Sequence, residues 1–363
     1  MRRCVAVALA LSVAVSCDPR PPEVTESRSA AHPREGQAGP QRNAIASVTP
    51  PITALVATRA AAPVVATPDA STAPSGSPST DAPAEMYRGQ SVAVWLDALA
   101  HRPVVRMLHR FSSTTAVYHL DLGDGIEAAF KPETRVFRTL WHNDIAGYRL
   151  ARALGVADRS PPATARRVAL EIFGRHAARD GLMPSRENPA EVWGAVILWL
   201  PTLGHTDLHT DAGRARWNAW LDVHGRIPRA HTEQAEQIST LLLFDYLQGN
   251  EDRWNAGNLR TDEHGDVLYR DNNGGWWSAI MSDPATGEWR LHDAQRFRRS
   301  VVDALVRTDI AALRAEFARD SAAPAPLVND RVLAAYGRRR ARALAYVRAC
   351  VRRFGEGRVF AWP

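Results

Sequence analysis

The stretch EAAFKPE (residues 127–133) contains the only lysine of this chain, Lys131, at the end of a short apolar run. Arginine supplies every other long cationic side chain among the 45 Lys and Arg residues. A guanidinium is planar and bulky, whereas an ammonium is a compact point charge on a thin stem that fits between two phosphates. The single lysine is explained either by chance in an arginine-biased composition or by a role that arginine cannot fill.

Lys131 belongs to a predicted β-hairpin. Residues 116–132 (AVYHLDLGDGIEAAFKP) alternate as two strands, and Gly123-Asp124-Gly125 forms the turn between them. Apolar residues at helical spacing then predict a helix over 142–154 (HNDIAGYRLARAL). The first half is completed by two predicted strands, 166–173 (RRVALEIF) and 192–201 (VWGAVILWLP).

The second half is predicted to be mainly helical. A long amphipathic helix over 233–249 leads into a loop rich in Asn and Asp, 249–258 (GNEDRWNAGN). The predicted elements that follow are a short strand at 266–271 (DVLYRD), a turn at 272–275 (NNGG), and two arginine-rich helices at about 294–317 and 327–353.

The N-terminal region has the composition of export and linker segments. Residues 1–17 combine a basic start, a short apolar run and small residues before Cys17, which predicts a signal peptide of the bacterial lipoprotein type. Plain cleavage that leaves Cys17 free is the alternative. Residues 18–86 are rich in Ala, Pro, Ser and Thr and are predicted to form a disordered tether. Globular composition begins at about Tyr87, so the folded domain is predicted to span 87–363.

Bulk composition excludes some classes of function. After processing, the predicted domain retains one cysteine, Cys350, and therefore cannot form an internal disulfide. The net charge of +6 is spread along the chain, and no basic motif interleaved with aromatic residues indicates nucleic-acid binding. The oligomeric state stays open.

These elements together have the layout of a protein-kinase-like fold of the α+β class. A small β-rich N-lobe (about 87–200) would carry the lysine, and a mainly helical C-lobe (about 201–363) would carry two loop aspartates. Phosphoryl transfer requires neutralisation of the phosphate charge and in-line positioning. A strand lysine can hold phosphates, an acid on the next helix can fix that lysine, and two aspartates can orient the acceptor and bind a metal.

The motifs resemble a particular group of kinases. AAFKPE (128–133), HNDIAGYRLARAL (142–154), LLLFDYLQGNEDRW (241–254) and RDNNGGW (270–276) occur in the order seen in the secretory-pathway atypical kinase family. That family includes the Golgi casein kinase, the glycosaminoglycan xylosylkinase and Four-jointed. The similarity extends over most of residues 110–353.

The resemblance implies a role for each matching residue. Lys131 matches the lysine that holds the nucleotide phosphates, Asp144 falls where the family has a helix glutamate, and Asp252 matches the catalytic aspartate. Asp271 matches the metal-binding aspartate, and Asn258 or Asn255 would add a metal ligand. The connector Val196–Leu200 would line the nucleotide-base pocket, with Leu198 and Leu200 as lining residues. Apart from the resemblance, hydroxyls of the segment Ser112–Thr115, in particular Ser113 and Thr114, would contact phosphate; an ordinary loop is the alternative.

Some features depart from the family pattern. Asp144 is one methylene shorter than glutamate, Trp254 stands where the family usually has histidine, and Asn258 lies one residue beyond the usual kinase spacing. The family's disulfides are missing from the predicted domain. The lysine and both aspartates are nevertheless retained, which favours activity.

The sequence therefore predicts an exported bacterial kinase that uses ATP with Mn²⁺ or Mg²⁺. The acceptor would be a hydroxyl of a Ser/Thr protein or of a glycan, and lipidated Cys17 would attach the chain to a membrane of the cell envelope; a periplasmic protein is the alternative. Since ATP is scarce outside the cytoplasm, a pseudokinase that binds a nucleotide or another ligand is a second hypothesis. A small-molecule phosphotransferase is a third, although its usual His-x-Asp start is missing before Asp252.

Overall fold

The computed structural model describes residues 85–111, 115–138, 140–255, 257–319, 322–323 and 326–362. The predicted signal peptide and nearly all of the predicted tether lie outside these residues. The predicted tether ends at residue 86, yet Met86 already pairs with Ser91 in a ribbon of β1 (Met86–Tyr87) and β2 (Gln90–Ser91). Helix α1 (Val92–His101) follows directly.

A five-stranded antiparallel sheet forms the first half of the domain. Its spatial order is β3-β4-β5-β7-β6, with β3 at Arg106–Phe111, β4 at Val117–Asp121, β5 at Glu127–Pro132, β6 at Ala163–Ala169 and β7 at Glu191–Leu198. Strands β4 and β5 are the predicted hairpin. Lys131 lies near the end of β5, directly opposite Ala195 in the central part of the sheet.

Two strand predictions need correction. The strand predicted at 166–173 ends at Ala169, and Leu170–Phe173 form a 3-10 helix before the chain turns at Gly174, where φ is 50°. Strand β3 was not predicted because most of its residues are exposed or partly exposed, so the chain there lacks the apolar alternation of a half-buried strand.

The helices of the described chain lie mostly after the sheet. Between β5 and β7 are α2 (Leu140–Ala153) and the short α3 (Arg175–Arg179). The elements of the second half are α4 (Asp211–Leu221), α5 (Thr232–Gln248), β8 (Arg260–Thr261), β9 (Val267–Leu268), α6 (Ser278–Met281), α7 (Glu288–Leu291), α8 (Arg299–Arg307), α9 (Ile310–Phe317), α10 (Asp330–Phe354) and α11 (Glu356–Val359).

Two helix predictions also change. The single helix predicted at 294–317 is divided into α8 and α9, because the Asp309 carboxylate accepts a hydrogen bond from Ala312 N at 2.8 Å and caps a new helix. Helix α5, predicted to be amphipathic, is buried on every side from Gln237 to Gln248. It is enclosed because it packs against α4, α7 and α10 in the main apolar core.

The predicted α+β class, with a small β-rich part followed by a mainly helical part, is confirmed. One apolar core lies on the α2 side of the sheet and extends through α5 to α10. A second core lies between the sheet and α1. Across the described residues, no helix combines the length and the apolar character that a membrane span requires.

Candidate active site

Lys131 is buried and paired with two carboxylates. Its Nζ lies 2.9 Å from Asp144 Oδ2 and 2.6 Å from Asp271 Oδ1. Burial by itself would lower the pKa of the ammonium, but the two neighbouring carboxylates outweigh burial and raise the pKa above its ordinary value. The lysine is therefore a fixed positive charge that two acids hold in place.

Asp144 reaches Lys131 despite its short side chain. It lies on α2, which packs on the sheet face that carries Lys131, and its carboxylate is buried. Oδ1 also accepts a hydrogen bond from the backbone N–H of Asn272 at 2.9 Å. The carboxylate thus joins the sheet to the loop that follows Asp271.

Asp271 follows β9 in a left-handed backbone conformation, with φ 59° and ψ 60°. Asp is one of the few residue types with a side chain that tolerates this region. Burial opposes ionisation of its carboxyl group, but Lys131 and then Arg270 hold its pKa below the ordinary value. Asp271 is therefore an anion over the physiological pH range.

Asp252 begins a 3-10 helix (Asp252–Trp254) directly after the loop that ends α5. Its Oδ2 accepts a hydrogen bond from Asn258 Nδ2 at 2.8 Å, and its Oδ1 accepts one from Asn255 Nδ2. Two amides therefore fix the orientation of a carboxylate that is itself only partly buried.

The loops that carry Asp252 and Asp271 pack directly on each other. The side chain of Asn250 accepts a hydrogen bond from Asp252 N at 3.2 Å and donates one to Asp271 O at 3.5 Å. At Gly274, a Cβ would lie 2.7 Å from Asn250 Oδ1 and 2.9 Å from Asp252 Cβ, so only glycine permits this approach. The structure brings Lys131, Asp144, Asp252 and Asp271 to one place.

Sequence reasoning did not identify Asn272, which connects the parts of this site. Its Oδ1 accepts hydrogen bonds from Arg253 at 2.5 Å and Gln248 at 3.2 Å, while its backbone N–H donates to Asp144. Arg253 in turn pairs with Asp245 rather than with Asp252. The available signal was Asp245 itself, an acid in the otherwise apolar run LLLFDYL (241–247).

Gly147 on α2 provides the space for Asn272. A Cβ at Gly147 would lie 2.5 Å from Asn272 Cβ. Gly147→Ala should therefore lower the free energy of unfolding by about 1–3 kcal/mol in a urea titration, although alanine is the better helix former. Gly357→Ala is the matched control, because Gly357 also lies in a helix but has open space around it. Equal midpoints for the two variants would contradict this tight packing.

The structure does not bring the two predicted connector leucines to the face of the sheet that carries Lys131. Leu198 is opposite Ala128, and both it and Leu200 are buried in the apolar core on the other face of the sheet. Strand alternation places the side chains of Ile197 and Trp199 on the Lys131 face instead.

Two other predictions concern residues near the site. Ser113 and Thr114 lie outside the described residues. Trp254 is buried and packs against Trp217 with ring centroids 5.2 Å apart, so it belongs to the core of the helical part.

Comparison with solved structures identifies the fold. The Golgi casein kinase superposes with a TM-score of 0.52 at 17% identity, over 74% of this chain and 78% of that chain. This chain has the fold of the Golgi casein kinase. The same kinase with Mn/ADP bound gives a TM-score of 0.52 and 17% identity over 73% and 77% of the two chains. Hydra Fam20 with sugar gives 0.52 and 18% identity over 74% and 91%.

The resemblance predicted from the motifs is confirmed at the level of the fold. No family model matches the sequence, and no curated protein is significantly similar to it. The match to the Golgi casein kinase fold therefore comes from the arrangement of helices and strands.

The residues present suit a divalent metal of the kind that binds together with phosphates. No group of three or more His, Cys, Asp or Glu side chains within the described ranges forms a metal cage. Mg²⁺ in phosphotransfer sites needs only one or two protein carboxylates, because substrate phosphates complete its coordination. Asp271 supplies an ionised carboxylate. The amide nitrogen of Asn258 is engaged with Asp252, which leaves the amide oxygen as the atom suited to a cation.

Proposed function

We propose that this protein is a metal-dependent kinase that transfers the γ-phosphoryl group of ATP to a hydroxyl group. The observation that carries the proposal is the buried lysine paired with Asp144 and Asp271, beside an aspartate held by two asparagine amides. The similarity of the fold to that of the Golgi casein kinase also supports a kinase function.

Each residue has a role in the proposed reaction. Lys131 holds the nucleotide phosphates, and Asp144 keeps its ammonium in place. Asp271 and Asn258 would hold a divalent cation, which would supply positive charge to the nucleotide phosphates. Asp252 orients the acceptor hydroxyl and accepts its proton as the acceptor oxygen bonds to the γ-phosphorus. The bond from that phosphorus to the β–γ bridging oxygen breaks, and ADP leaves.

The acceptor is a Ser/Thr hydroxyl of a protein or a hydroxyl of a glycan, and the donor complex contains Mn²⁺ or Mg²⁺. The composition of residues 1–17 and 18–86 supports export to a bacterial cell envelope, with a tether attached through lipidated Cys17.

Removing the charge of Lys131 or of Asp271 should abolish phosphoryl transfer. Purified protein is incubated with ATP and Mn²⁺ or Mg²⁺, and ADP release and labelled phosphate on casein, glycan or envelope extract are measured. Lys131→Met and Asp271→Ala should each reduce turnover by about a thousandfold or more, because each removes charge stabilisation of the transferred group.

Two outcomes would contradict a kinase. Turnover that persists in both variants would assign the activity to another site or to a contaminant. Metal-dependent nucleotide binding that raises the unfolding temperature without transfer to any acceptor would identify a pseudokinase instead.

A further inference from the structure

The exposed side of α10 consists of arginine and alanine alone. The other side of this 25-residue helix is buried in the main apolar core. The exposed positions that are not alanine are all arginine, and they are Arg331, Arg338, Arg342, Arg348, Arg352 and Arg353. With 3.6 residues per turn and a rise of 1.5 Å per residue, these arginines lie within an arc of about 140° and extend over about 33 Å. They are called the arginine face below.

The arginine face carries little compensating negative charge. Of its six side chains, only Arg342 forms an ion pair with a residue in the part of the chain that the structure describes, with Glu288 at 3.2 Å. The single acid within α10, Asp330, pairs with Arg314 of α9 instead. Although the net charge of the whole chain is only +6, the fold therefore gathers several unpaired guanidinium groups on one side of one helix.

The composition of the arginine face suits a broad anionic surface. Guanidinium groups bind phosphate oxygens through two parallel hydrogen bonds. The alanines between them are small, so the helix can approach a surface closely. The exposed positions of α10 include no aromatic residue, whereas sites for single-stranded nucleic acid combine basic residues with aromatic rings on which bases stack. Clusters of about four to eight arginines or lysines on an amphipathic helix are typical of binding to anionic lipids.

We propose that the arginine face of α10 binds the surface of a membrane that contains anionic phospholipids. This inference goes beyond the proposed kinase function and does not depend on it. It is also separate from the predicted lipid at Cys17, because the contact is electrostatic and is made by the folded domain. A lipid anchor and a polybasic surface commonly act together in stable membrane attachment. The contact should weaken as the salt concentration rises, since the Debye length is about 10 Å at 0.1 M salt.

The test measures binding to mixed phosphatidylglycerol and phosphatidylcholine vesicles by sedimentation. The full chain carries Cys17→Ser so that no lipid is attached, and vesicles of phosphatidylcholine alone give the background that is independent of lipid charge. Arg348→Gln/Arg352→Gln should weaken binding to the anionic vesicles about twentyfold, because each arginine close to a charged surface contributes about fivefold. The urea midpoint should not change, since neither side chain has an ion-pair partner among the described residues.

Arg175→Gln/Arg179→Gln is the matched control. This pair is also exposed, has the same spacing on a helix, α3, and forms no ion pair within the described chain. It changes the net charge by the same amount but lies outside the arginine face. The control should therefore bind the anionic vesicles within about twofold of wild type, because charges more than a Debye length from the lipid are screened.

Three results would overturn the inference. Equal losses in the two double variants would show that the attraction follows net charge and not α10. Wild-type protein that binds the anionic vesicles no better than phosphatidylcholine alone would exclude a lipid surface. Preference of the wild type for duplex DNA or polyglutamate over the vesicles, lost in Arg348→Gln/Arg352→Gln, would assign the arginine face to another polyanion. None of these measurements involves phosphoryl transfer, so the proposed kinase function is tested separately.

Discussion

Asp252→Asn should reduce the rate of phosphoryl transfer roughly a hundred- to ten-thousandfold, the usual contribution of a positioned general base. Asparagine has the same shape but cannot accept the proton of the acceptor hydroxyl. The new amide nitrogen faces one of the two asparagine amides that donate to Asp252, but the site is only partly buried, so the variant should unfold at a urea concentration slightly below that of wild type. The Kd for ADP should also stay close to the wild-type value, because Lys131, Asp144 and Asp271 are unchanged.

Three measurements separate a chemical role from a structural one: kcat, the Kd for ADP, and the urea midpoint. Asp124→Asn is a suitable control, because Asp124 is an exposed acid in the turn between β4 and β5. A loss of kcat smaller than tenfold in Asp252→Asn would reject the general-base role. A lower kcat together with a higher Kd for ADP and a lower urea midpoint would show that the carboxylate mainly organises its own loop through Asn255 and Asn258.

The sequence was sufficient to predict that one lysine and two aspartates lie close together. Lys131, Asp144 and Asp271 lie far apart in the chain, and the structure places the three charged groups within 3 Å contacts. Their proximity was predictable because the order of the motifs resembles that of one kinase family, whereas their roles toward phosphate stay predictions. The hairpin of β4 and β5 was also predictable, since its alternation and turn are local features.

The contacts around that centre were less predictable, because they depend on strand register and loop packing. A shift of one residue moves a side chain to the other face of a sheet, so an apolar connector did not reveal whether Leu198 or Trp199 faces Lys131. Asn272 reads as an ordinary turn residue in NNGG (272–275). Its role is visible only after Asp144 and Gly147 of α2 and Gln248 of α5 have come into contact with it.

Asp245 and Arg253 form the buried ion pair beneath the active-site loops, and they provide the largest expected effect on stability. Arg253 is fully buried, and its Nε lies 3.3 Å from Asp245 Oδ2. Asp245→Leu should lower the free energy of unfolding by about 3–5 kcal/mol, because it leaves a buried guanidinium without its carboxylate. Urea titration measures this loss.

The double variant Asp245→Leu/Arg253→Met is the informative control. Replacing both charges by apolar side chains removes the desolvation cost as well as the attraction, so most of the lost stability should return. If the double variant is as unstable as Asp245→Leu, the loss comes from the packing of α5 and not from an unpaired charge.

The stability of wild type relative to the double variant should depend on pH, and the sign follows from the pKa of Asp245. Burial, opposed by Arg253, raises the pKa of Asp245 from its ordinary value of 3.8 to about 6. A raised pKa means that the folded protein binds the proton more tightly, so this contribution to stability is complete below about pH 4 and is lost as the pH rises through about 6. Wild type should therefore lose stability relative to the double variant across that interval. A difference that does not change between pH 4 and 6.5 would show that Asp245 is already ionised at the lower value.

Recovery of stability in the double variant should not restore activity. Arg253 also donates a hydrogen bond to Asn272 Oδ1, and Asn272 N–H holds the carboxylate that fixes Lys131. Without the guanidinium, Gln248 is the remaining side-chain donor to that oxygen among the described contacts, at 3.2 Å. The double variant should therefore fold stably and still transfer phosphate more slowly than wild type. Wild-type kcat in a stable double variant would show that Asn272 keeps its position without Arg253, and that the ion pair serves the fold alone.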